Sequence, residues 1–284
     1  MNKTKLTVVI ASLGGPQLEK TLSSINSGSV LPDEIIVCIP ITYFKSASIF
    51  TMPNIKVKLC DKSGQVYQRS EGFKLATGEF VMQLDDDIIL EHHCIEILLR
   101  KLKLLPIKTA LSPSLYNFQN KSIFHKSRSS FYYWLINGKK GYKAGSIYLS
   151  GSPEGPSINT KKTLIQSEWL PGGCVIHRRS NLILNNFFPF SGKAFCEDLI
   201  HSTLLRKRNI RLFFATDAIA YLEMASYTEY KLETFIKSLA LDYQARKFLI
   251  KLLNIKSKRI YIFYLIITLN YFYFFFLKLM TKKK

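Results

Sequence analysis

Hydrophobic residues in this chain gather in short runs that alternate with amphipathic stretches. Three runs, at residues 6–11, 34–39 and 55–59, have the length and composition of buried strands. Between the first two, Leu18, Leu22 and Ile25 recur at helical spacing after a glycine-containing turn. Strands that alternate with helices predict an α/β fold with a mostly parallel, doubly wound sheet.

The same pattern leads into a stretch that ends in three adjacent carboxylates. A short helix predicted at 72–78, closed by a glycine cap, precedes an apolar strand at 80–84. That strand ends at Asp85, Asp86 and Asp87. Adjacent carboxylates repel one another unless a cation lies among them, and their hard oxygens suit Mg²⁺ or Mn²⁺. The strand end therefore predicts a metal site for phosphates; an acidic turn that caps the next helix is the structural alternative.

The second half of the chain predicts further elements and one long polar segment. We expect strands at 109–115, 168–179 and 211–220, and helices at 91–105, from 196 onwards and at 229–253. The segment 117–167 is too long to be a simple connection, and its aromatic residues are interleaved with basic ones. It is either a functional loop region that binds sugars and phosphates, or a small irregular subdomain with its own apolar cluster.

Composition changes sharply near the C-terminus. Residues 260–277 are uncharged and largely aromatic, and lysines flank both ends. The length is at the threshold for a membrane-spanning helix, whereas the tyrosines and Asn270 favour a helix that lies in the membrane interface. We therefore predict a domain at 1–225 and a membrane-associated tail at 226–284. Whether the hydrophobic segment of the tail spans the membrane or lies flat on it is left open.

Charge and cysteine usage narrow the choice of partner and compartment. The 284-residue chain has 40 Lys and Arg against 20 Asp and Glu, a net charge of +20 that calls for an anionic partner. Nucleic acid is disfavoured because the sequence has no zinc-finger spacing, RNP-like aromatic motif or helix-turn-helix signature. The five cysteines are scattered, which favours reduced thiols in a cytosolic protein.

Ordered motifs in roughly the first 220 residues resemble family 2 glycosyltransferases of GT-A fold. In order, they are VVIASLGG, PDEIIV, RSEGFKLATGEFVMQLDDD, WLPGGCVIHRR and CEDLIHSTLLRKR. The third is the most specific, because it resembles the R-N-x-G, A-x-G-E and D-x-D segments of the family. The resemblance implies an inverting, metal-dependent enzyme that transfers a sugar from a nucleotide-sugar donor to a glycan or lipid-linked acceptor. It also implies bacterial surface polysaccharide synthesis at the cytoplasmic face of the inner membrane.

The resemblance assigns roles to particular residues. It makes Asp85 and Asp87 the D-x-D pair for Mg²⁺ or Mn²⁺, and Asp198 the catalytic base beside Glu197. The residues implied for donor and nucleotide binding are Ala11, Ser12, Asp61, Arg69, Asp85 and Asp86. The chemistry agrees, because a divalent ion stabilises a leaving diphosphate and a carboxylate can take the proton of an acceptor hydroxyl. A purely structural explanation of Glu197 and Asp198 is that carboxylates in a first helical turn favour the helix dipole.

Two departures from the family pattern concern the nucleotide site. The end of the second strand, at residues 38–41, lacks the acidic residue that is usual in the family, and the last strand is followed by Glu223 where a histidine is common. Two other functions fit the same architecture. A sugar nucleotidyltransferase is disfavoured because no Gly-rich phosphate loop follows the first strand, and a non-catalytic, membrane-bound scaffold of a glycan biosynthesis complex would retain the acidic turn without using it.

Overall fold

The chain folds around a large sheet that helices flank. The computed structural model describes residues 5–44, 52–119, 128–157, 161–222 and 232–281. The strands are β1 (Leu6–Ala11), β2 (Glu34–Pro40), β3 (Ile55–Cys60), β4 (Phe80–Asp85), β5 (Ile88–Leu90), β6 (Thr109–Asn117), β7 (Leu164–Ser167), β8 (Cys174–Arg178) and β9 (Arg211–Leu222). The helices are α1 (Gln17–Asn26), α2 (Gln65–Leu75), α3 (Cys94–Leu104), α4 (Ser130–Asn137), α5 (Glu197–Lys207), α6 (Leu232–Leu252) and α7 (Arg259–Thr281).

The sheet is mixed, with strand order β3-β2-β1-β4-β8-β6-β9-β5 and β7 paired with β9. Parallel pairs join β1 to β2 and β4, β2 to β3, and β6 to β9. Strand β8 runs antiparallel to β4 and β6, and β5 and β7 run antiparallel to β9. The predicted α/β fold is confirmed, and six of the nine described strands run in one direction, while β5, β7 and β8 run the opposite way. The chain enters β8 from the edge where β4 ends, so no crossover returns it to the opposite edge.

The continuous apolar runs of β1, β2 and β4 are explained by helices on both faces of the sheet. Every residue of β1 and β2 is buried, as are the first five of β4. One face packs against apolar residues of α1 and α3, such as Leu22 and Leu98. The other packs against Phe73 of α2. These three strands are therefore fixed at the centre of the fold, and their carboxyl ends form a rigid edge.

Helix α2 begins at Gln65 and not at 72, as the sequence pattern predicted. Gly72 lies inside this helix, where a Cβ atom would overlap the side chain of Val9 and lie 2.8 Å from Cys38 Sγ. The glycine allows α2 to pack closely on β1 and β2 instead of marking a helix boundary. The earlier start places Gln65 and Arg69 on one helical face, directed at the end of β4.

The segment predicted to be polar and irregular contains α4 and β7 in its described parts. Tyr133, Ile136 and Tyr148 form a small apolar cluster, against which Phe263 and Ile266 of α7 pack. This arrangement agrees with the alternative of an irregular unit with its own cluster. The apolar partners of that unit come partly from the C-terminal tail.

The tail forms an antiparallel pair of helices, α6 and α7. The rings of Phe235 and Tyr271 stack with centroids 3.8 Å apart, and those of Tyr243 and Tyr264 meet edge to face at 5.2 Å. Within the described ranges, none of the helices combines the length and the apolar character needed to cross a membrane. The spanning form of the predicted tail is therefore not confirmed for that part of the chain.

Arg69 joins three elements of the fold through two ion pairs. Its guanidinium contacts Glu197 Oε1 at 2.6 Å at the start of α5, and Asp85 at the end of β4. The side chain of Arg69 is only 4% exposed and that of Glu197 8%. Charges buried to this extent are tolerated when they are paired and hydrogen-bonded. Helix α2, strand β4 and helix α5 are thus held together by one cation.

We predict that Arg69→Met lowers the free energy of unfolding by about 3–5 kcal/mol, because it leaves the Glu197 and Asp85 carboxylates without a cation. Urea unfolding followed by circular dichroism measures the change. Lys74→Met is the matched control on the same helix, since Lys74 is half exposed and pairs with the neighbouring Glu71. The control is expected to cost less than about 1 kcal/mol.

The double variant Arg69→Met/Glu197→Gln tests the electrostatic explanation. Replacing the stranded carboxylate by an amide is expected to recover part of the lost stability, because the buried uncompensated charge is then removed. A double variant that is no more stable than Arg69→Met alone would show that packing of the arginine, and not its charge, is what matters.

Candidate active site

The candidate site lies where β1 and β4 end side by side. Ala11, the last residue of β1, is in register with Asp85 on one side and Cys38 on the other. Ligands of open α/β sheets bind outside the carboxyl ends of strands, and the acidic cluster lies at this edge. The structure therefore brings Ala11, Ser12 and the three aspartates together, as the sequence predicted.

Ser12 shapes the loop that follows β1. Its hydroxyl donates a hydrogen bond to the Asp86 carboxylate and accepts one from the Gly14 backbone amide at 2.9 Å. Gln68 donates to the carbonyl oxygens of Ser12 and Cys38, at 2.9 and 2.7 Å. Burial raises the pKa of Asp86, and the Ser12 hydroxyl partly counters that rise. Asp86 thus fixes the loop that would border a bound nucleotide.

Asp85 is held by donors from α2 and by the chain ahead of β8. Its Oδ1 atom accepts hydrogen bonds from Arg69 and, at 2.8 Å, from Gln65. Its backbone amide donates to the Gly173 carbonyl at 2.8 Å. A Cβ atom on Gly173 would lie 2.8 Å from Asp85 Oδ2, so only glycine leaves room for the carboxylate. These contacts fix the orientation of the Asp85 carboxylate.

The turn from Asp85 to Asp87 suits a divalent cation that also binds a diphosphate. Carboxylate oxygens are the ligands that Mg²⁺ and Mn²⁺ prefer, and such ions are often bound by one or two carboxylates plus substrate phosphates. Within the described part of the chain, no three His, Cys, Asp or Glu side chains group into a metal cage. Asp85 and Asp87 stay the predicted protein ligands of such a cation, and phosphate oxygens of a bound ligand would complete its coordination.

Glu197 and Asp198 occupy the first turn of α5 in different environments. Glu197 is buried against Arg69, and a Cβ atom on Gly172 would overlap its carboxylate. Asp198 is partly exposed, and its Oδ1 atom accepts a hydrogen bond from the Leu199 amide at 2.8 Å. Burial, with the neighbouring charge of Glu197 as a second cause, raises the pKa of Asp198 to about 7. Glu197 is thus committed to an ion pair, whereas Asp198 is poised to take up a proton near neutral pH.

Arg69 connects the acidic turn with this carboxylate pair. One side of its guanidinium contacts Asp85 and the other contacts Glu197. Burial by itself would lower the pKa of Arg69, but Glu197 and Asp85 raise it, so the cation is permanent. The acidic turn and the carboxylate pair of α5 are therefore connected through one side chain.

The structure does not connect two of the residues singled out by sequence with this site. Asp61 follows β3 and is exposed, three strands away from β4 in the sheet order β3-β2-β1-β4. Asp61 is therefore distant in the sheet from the acidic turn, and its nucleotide role stays a prediction. Glu223 lies outside the described residues.

Sequence reasoning missed Gln65, Gln68 and the separate effects of Gly172 and Gly173. The two glutamines and Arg69 are spaced i, i+3 and i+4, which places them on one face of α2. That spacing was readable in the sequence, but only once the helix is known to begin at Gln65. Gly172 and Gly173 belong to the motif WLPGGCVIHRR, but the residues that they contact are distant in sequence.

Comparison with known proteins supports the resemblance in sequence and in fold. The model of the family described as glycosyl transferase family 2 matches residues 43–155. No curated protein matches the chain by sequence.

Solved structures similar to this chain share its fold at low sequence identity. GalNAc-T7, crystallised with UDP, GalNAc and Mn²⁺, is 16% identical, with a TM-score of 0.57 over 81% of this chain and 44% of its own. S. aureus TarS 1–349 in complex with UDP-GlcNAc is 15% identical, with a TM-score of 0.57 over 90% of this chain and 68% of its own. A second crystal structure of S. aureus TarS 1–349 is 16% identical, with a TM-score of 0.51 over 85% of this chain and 65% of its own.

This chain therefore spans less than half of the GalNAc-T7 chain and about two thirds of TarS 1–349. The segment that matches the family model, residues 43–155, includes the acidic end of β4, and the sheet around it has the fold of the similar structures. The resemblance to family 2 glycosyltransferases with a GT-A-like fold is confirmed.

Proposed function

We propose that the protein is an inverting glycosyltransferase, which moves a sugar from a nucleoside diphosphate donor to a hydroxyl group of a glycan or lipid-linked acceptor. The observation that carries the proposal is the Arg69 bridge. It joins the acidic turn at Asp85 to the carboxylate pair at Glu197 through two ion pairs. Transfer of a sugar needs these two functions together, one for the leaving diphosphate and one for the attacking hydroxyl.

Asp198 is the proposed general base. An acceptor hydroxyl becomes a good nucleophile when a carboxylate takes its proton as the new bond forms. A base with a pKa of about 7 is well matched to neutral pH, because about half of it is ionised there and it is still basic enough to accept the proton. With one base on the face opposite the leaving group, displacement occurs in a single step and inverts the anomeric carbon.

Asp85 and Asp87 would hold Mg²⁺ or Mn²⁺ together with the donor. When bound, the cation would stabilise the negative charge that develops on the departing diphosphate. Ser12 and Asp86 would border the nucleotide on the β1 side. The similar structures contain UDP with Mn²⁺ in one case and UDP-GlcNAc in another, which favours uridine as the first nucleotide to test.

We predict that UDP raises the melting temperature of the protein by several degrees in the presence of Mn²⁺ and much less without it. Asp87→Ala is expected to abolish the Mn²⁺-dependent part of the shift, because one of the two cation ligands is lost. Asp217→Ala is the control, since Asp217 pairs with Lys101 away from the site. Differential scanning fluorimetry with UDP, dTDP, GDP and CMP makes the measurement.

A shift that needs both Mn²⁺ and one diphosphate would support the acidic turn as the donor site and identify the nucleotide. Absence of any shift would contradict the proposal and favour the non-catalytic scaffold. An equal shift for Asp87→Ala and wild type would remove Asp87 from the cation site.

We predict that Asp198→Asn lowers donor turnover on the order of 10²–10⁴-fold while the Mn²⁺-dependent melting shift with nucleotide is unchanged. Asparagine keeps the size of the side chain but cannot accept the proton. In wild type, kcat should rise with pH through about 7, because Asp198 must be ionised to act as a base. Release of UDP from UDP-GlcNAc, with water as acceptor, reports both effects. Near-normal turnover by Asp198→Asn would show that another group is the base.

We also propose that the enzyme acts at a membrane surface, on the cytoplasmic face, as a peripheral protein. Helix α7 exposes large apolar residues, including Tyr261, Leu265, Leu269 and Phe274. Contiguous apolar patches of this kind often mark interaction surfaces, and the net charge of +20 favours anionic lipid. A lipid-linked acceptor would be met at the same surface.

We predict that the full-length protein sediments with vesicles that contain phosphatidylglycerol, and more weakly with phosphatidylcholine vesicles. The double variant Leu265→Asp/Leu269→Asp should reduce binding at least tenfold, because two charges then enter the apolar face. Leu104→Asp is the control, because it adds a charge at a leucine that is also exposed (84%) but lies on α3 and not on α7. If the double variant binds as wild type does, α7 is not the membrane contact.

A further inference from the structure

A cluster of polar side chains links the C-terminal helices to each other. On α6, Arg246 contacts Asp242 one helical turn earlier, through Nη2 at 2.9 Å and Nε at 3.2 Å. The hydroxyl of Tyr264, on α7, donates to Asp242 Oδ2 and lies 3.3 Å from Arg246 Nε. Arg246 is buried, and its ring contact with Phe263 covers one face of the guanidinium at 4.8 Å. The ion pair therefore has partners on both helices.

The same cluster reaches the first turn of α5. Cys196, the residue before Glu197, donates a hydrogen bond from its thiol to Asp242 Oδ1 at 3.3 Å. Arg246 donates to the Gly151 carbonyl at 2.6 Å, so the loop ahead of β7 is held by the same side chain. Around these contacts, Ala245 and Leu249 of α6 pack in one apolar cluster with Leu199 and Ile200 of α5.

Cys196 has a backbone conformation that needs support from its surroundings. Its φ of +56° is in the left-handed region, which is strained for a residue other than glycine. That conformation sets the direction in which α5 leaves the preceding loop, and hence where Asp198 lies. Asp242 is the side chain that binds the Cys196 thiol from outside α5.

We propose that Asp242 and Arg246 are positioning residues, which with Tyr264 fix Cys196 and the first turn of α5 so that Asp198 faces the acceptor. The inference rests on the proposed function, in which Asp198 is the base. It makes the helical hairpin of α6 and α7 part of the catalytic unit, whereas the sequence pattern separated a domain at 1–225 from a tail at 226–284.

Charged groups face Asp198 from several elements. Glu197 adjoins it on α5, Arg246 approaches from α6 beside Asp242, and Arg69 lies behind Glu197 on α2. Arg246 favours the ionised form of Asp198 and Glu197 disfavours it. Loss of the Arg246 cation should therefore shift the rise of kcat to higher pH, a change that simple loosening of the fold would not produce.

Hydrogen exchange of the free, full-length protein tests the structural half of the inference. In Arg246→Met, backbone amides of residues 197–200 should exchange at least tenfold faster than in wild type. Tyr264→Phe removes only the hydroxyl and should raise the exchange rate of these amides to a smaller extent. This variant can still be measured if Arg246→Met does not fold. Lys247→Met is the matched control on an exposed position of α6. Unchanged exchange in Tyr264→Phe and Arg246→Met would overturn the proposal.

Turnover of UDP-GlcNAc with Mn²⁺, with water as acceptor, tests the functional half. Arg246→Met should lower kcat about tenfold or more, leave KM within about threefold, and move the pH profile upward. Arg246→Lys, which keeps the cation, should restore the pH profile and part of kcat. A variant that changes KM alone, or lowers kcat without moving the profile, would contradict a role in positioning the base.

The two proposals fail in distinguishable ways. If wild type neither binds nor turns over a nucleotide sugar, the proposed function is wrong, while exchange at residues 197–200 still decides whether Asp242 and Arg246 hold α5. If Asp198→Asn keeps turnover but Arg246→Met loses it, the base assignment is wrong and the positioning effect concerns another group.

Discussion

The ion pairs of Arg69 are the constraint on which the rest of the site depends. Two carboxylates from β4 and α5 approach one guanidinium, whose planar fork can bind both while a lysine ammonium offers a single point of charge. The arrangement is possible because Gly172 and Gly173 have no side chains where these carboxylates lie. The sheet topology supports it as well, since β8 begins beside the end of β4 and brings both glycines to the acidic edge.

This constraint gives neighbouring carboxylates different chemistry. Glu197 forms an ion pair with Arg69. The charge of Glu197 is one reason why the pKa of Asp198 is raised to about 7. Asp85 is paired with the same cation, while Asp86 accepts a hydrogen bond from Ser12. Environment, and not residue type, therefore separates a group suited to accept a proton from groups suited to bind a cation or shape a loop.

The sequence was informative where structure depends on local pattern. Strands β1, β2 and β4 were predictable because they are buried on both faces, and the acidic turn and the carboxylate pair were readable as motifs. The start of α2, strand β5 and the direction of β8 were not, since each is decided by tertiary contacts. Arg69 and Glu197 are 128 residues apart, and no local pattern predicts that they meet. Gly72 was misleading because close packing on Val9, and not a helix boundary, explains it.

The C-terminal hairpin shows why a change of composition need not mark the end of a functional unit. Consecutive residues of α7 lie in different environments, because successive side chains of a helix are rotated by about 100°. Tyr264 points inward to Asp242, and Leu265 points to solvent. Leu249 and Ala245 of α6 complete the apolar cluster that also contains Leu199 of α5. Removing the hairpin would expose that cluster and free the turn before Asp198, so the aromatic tail and the candidate base are parts of one folded structure.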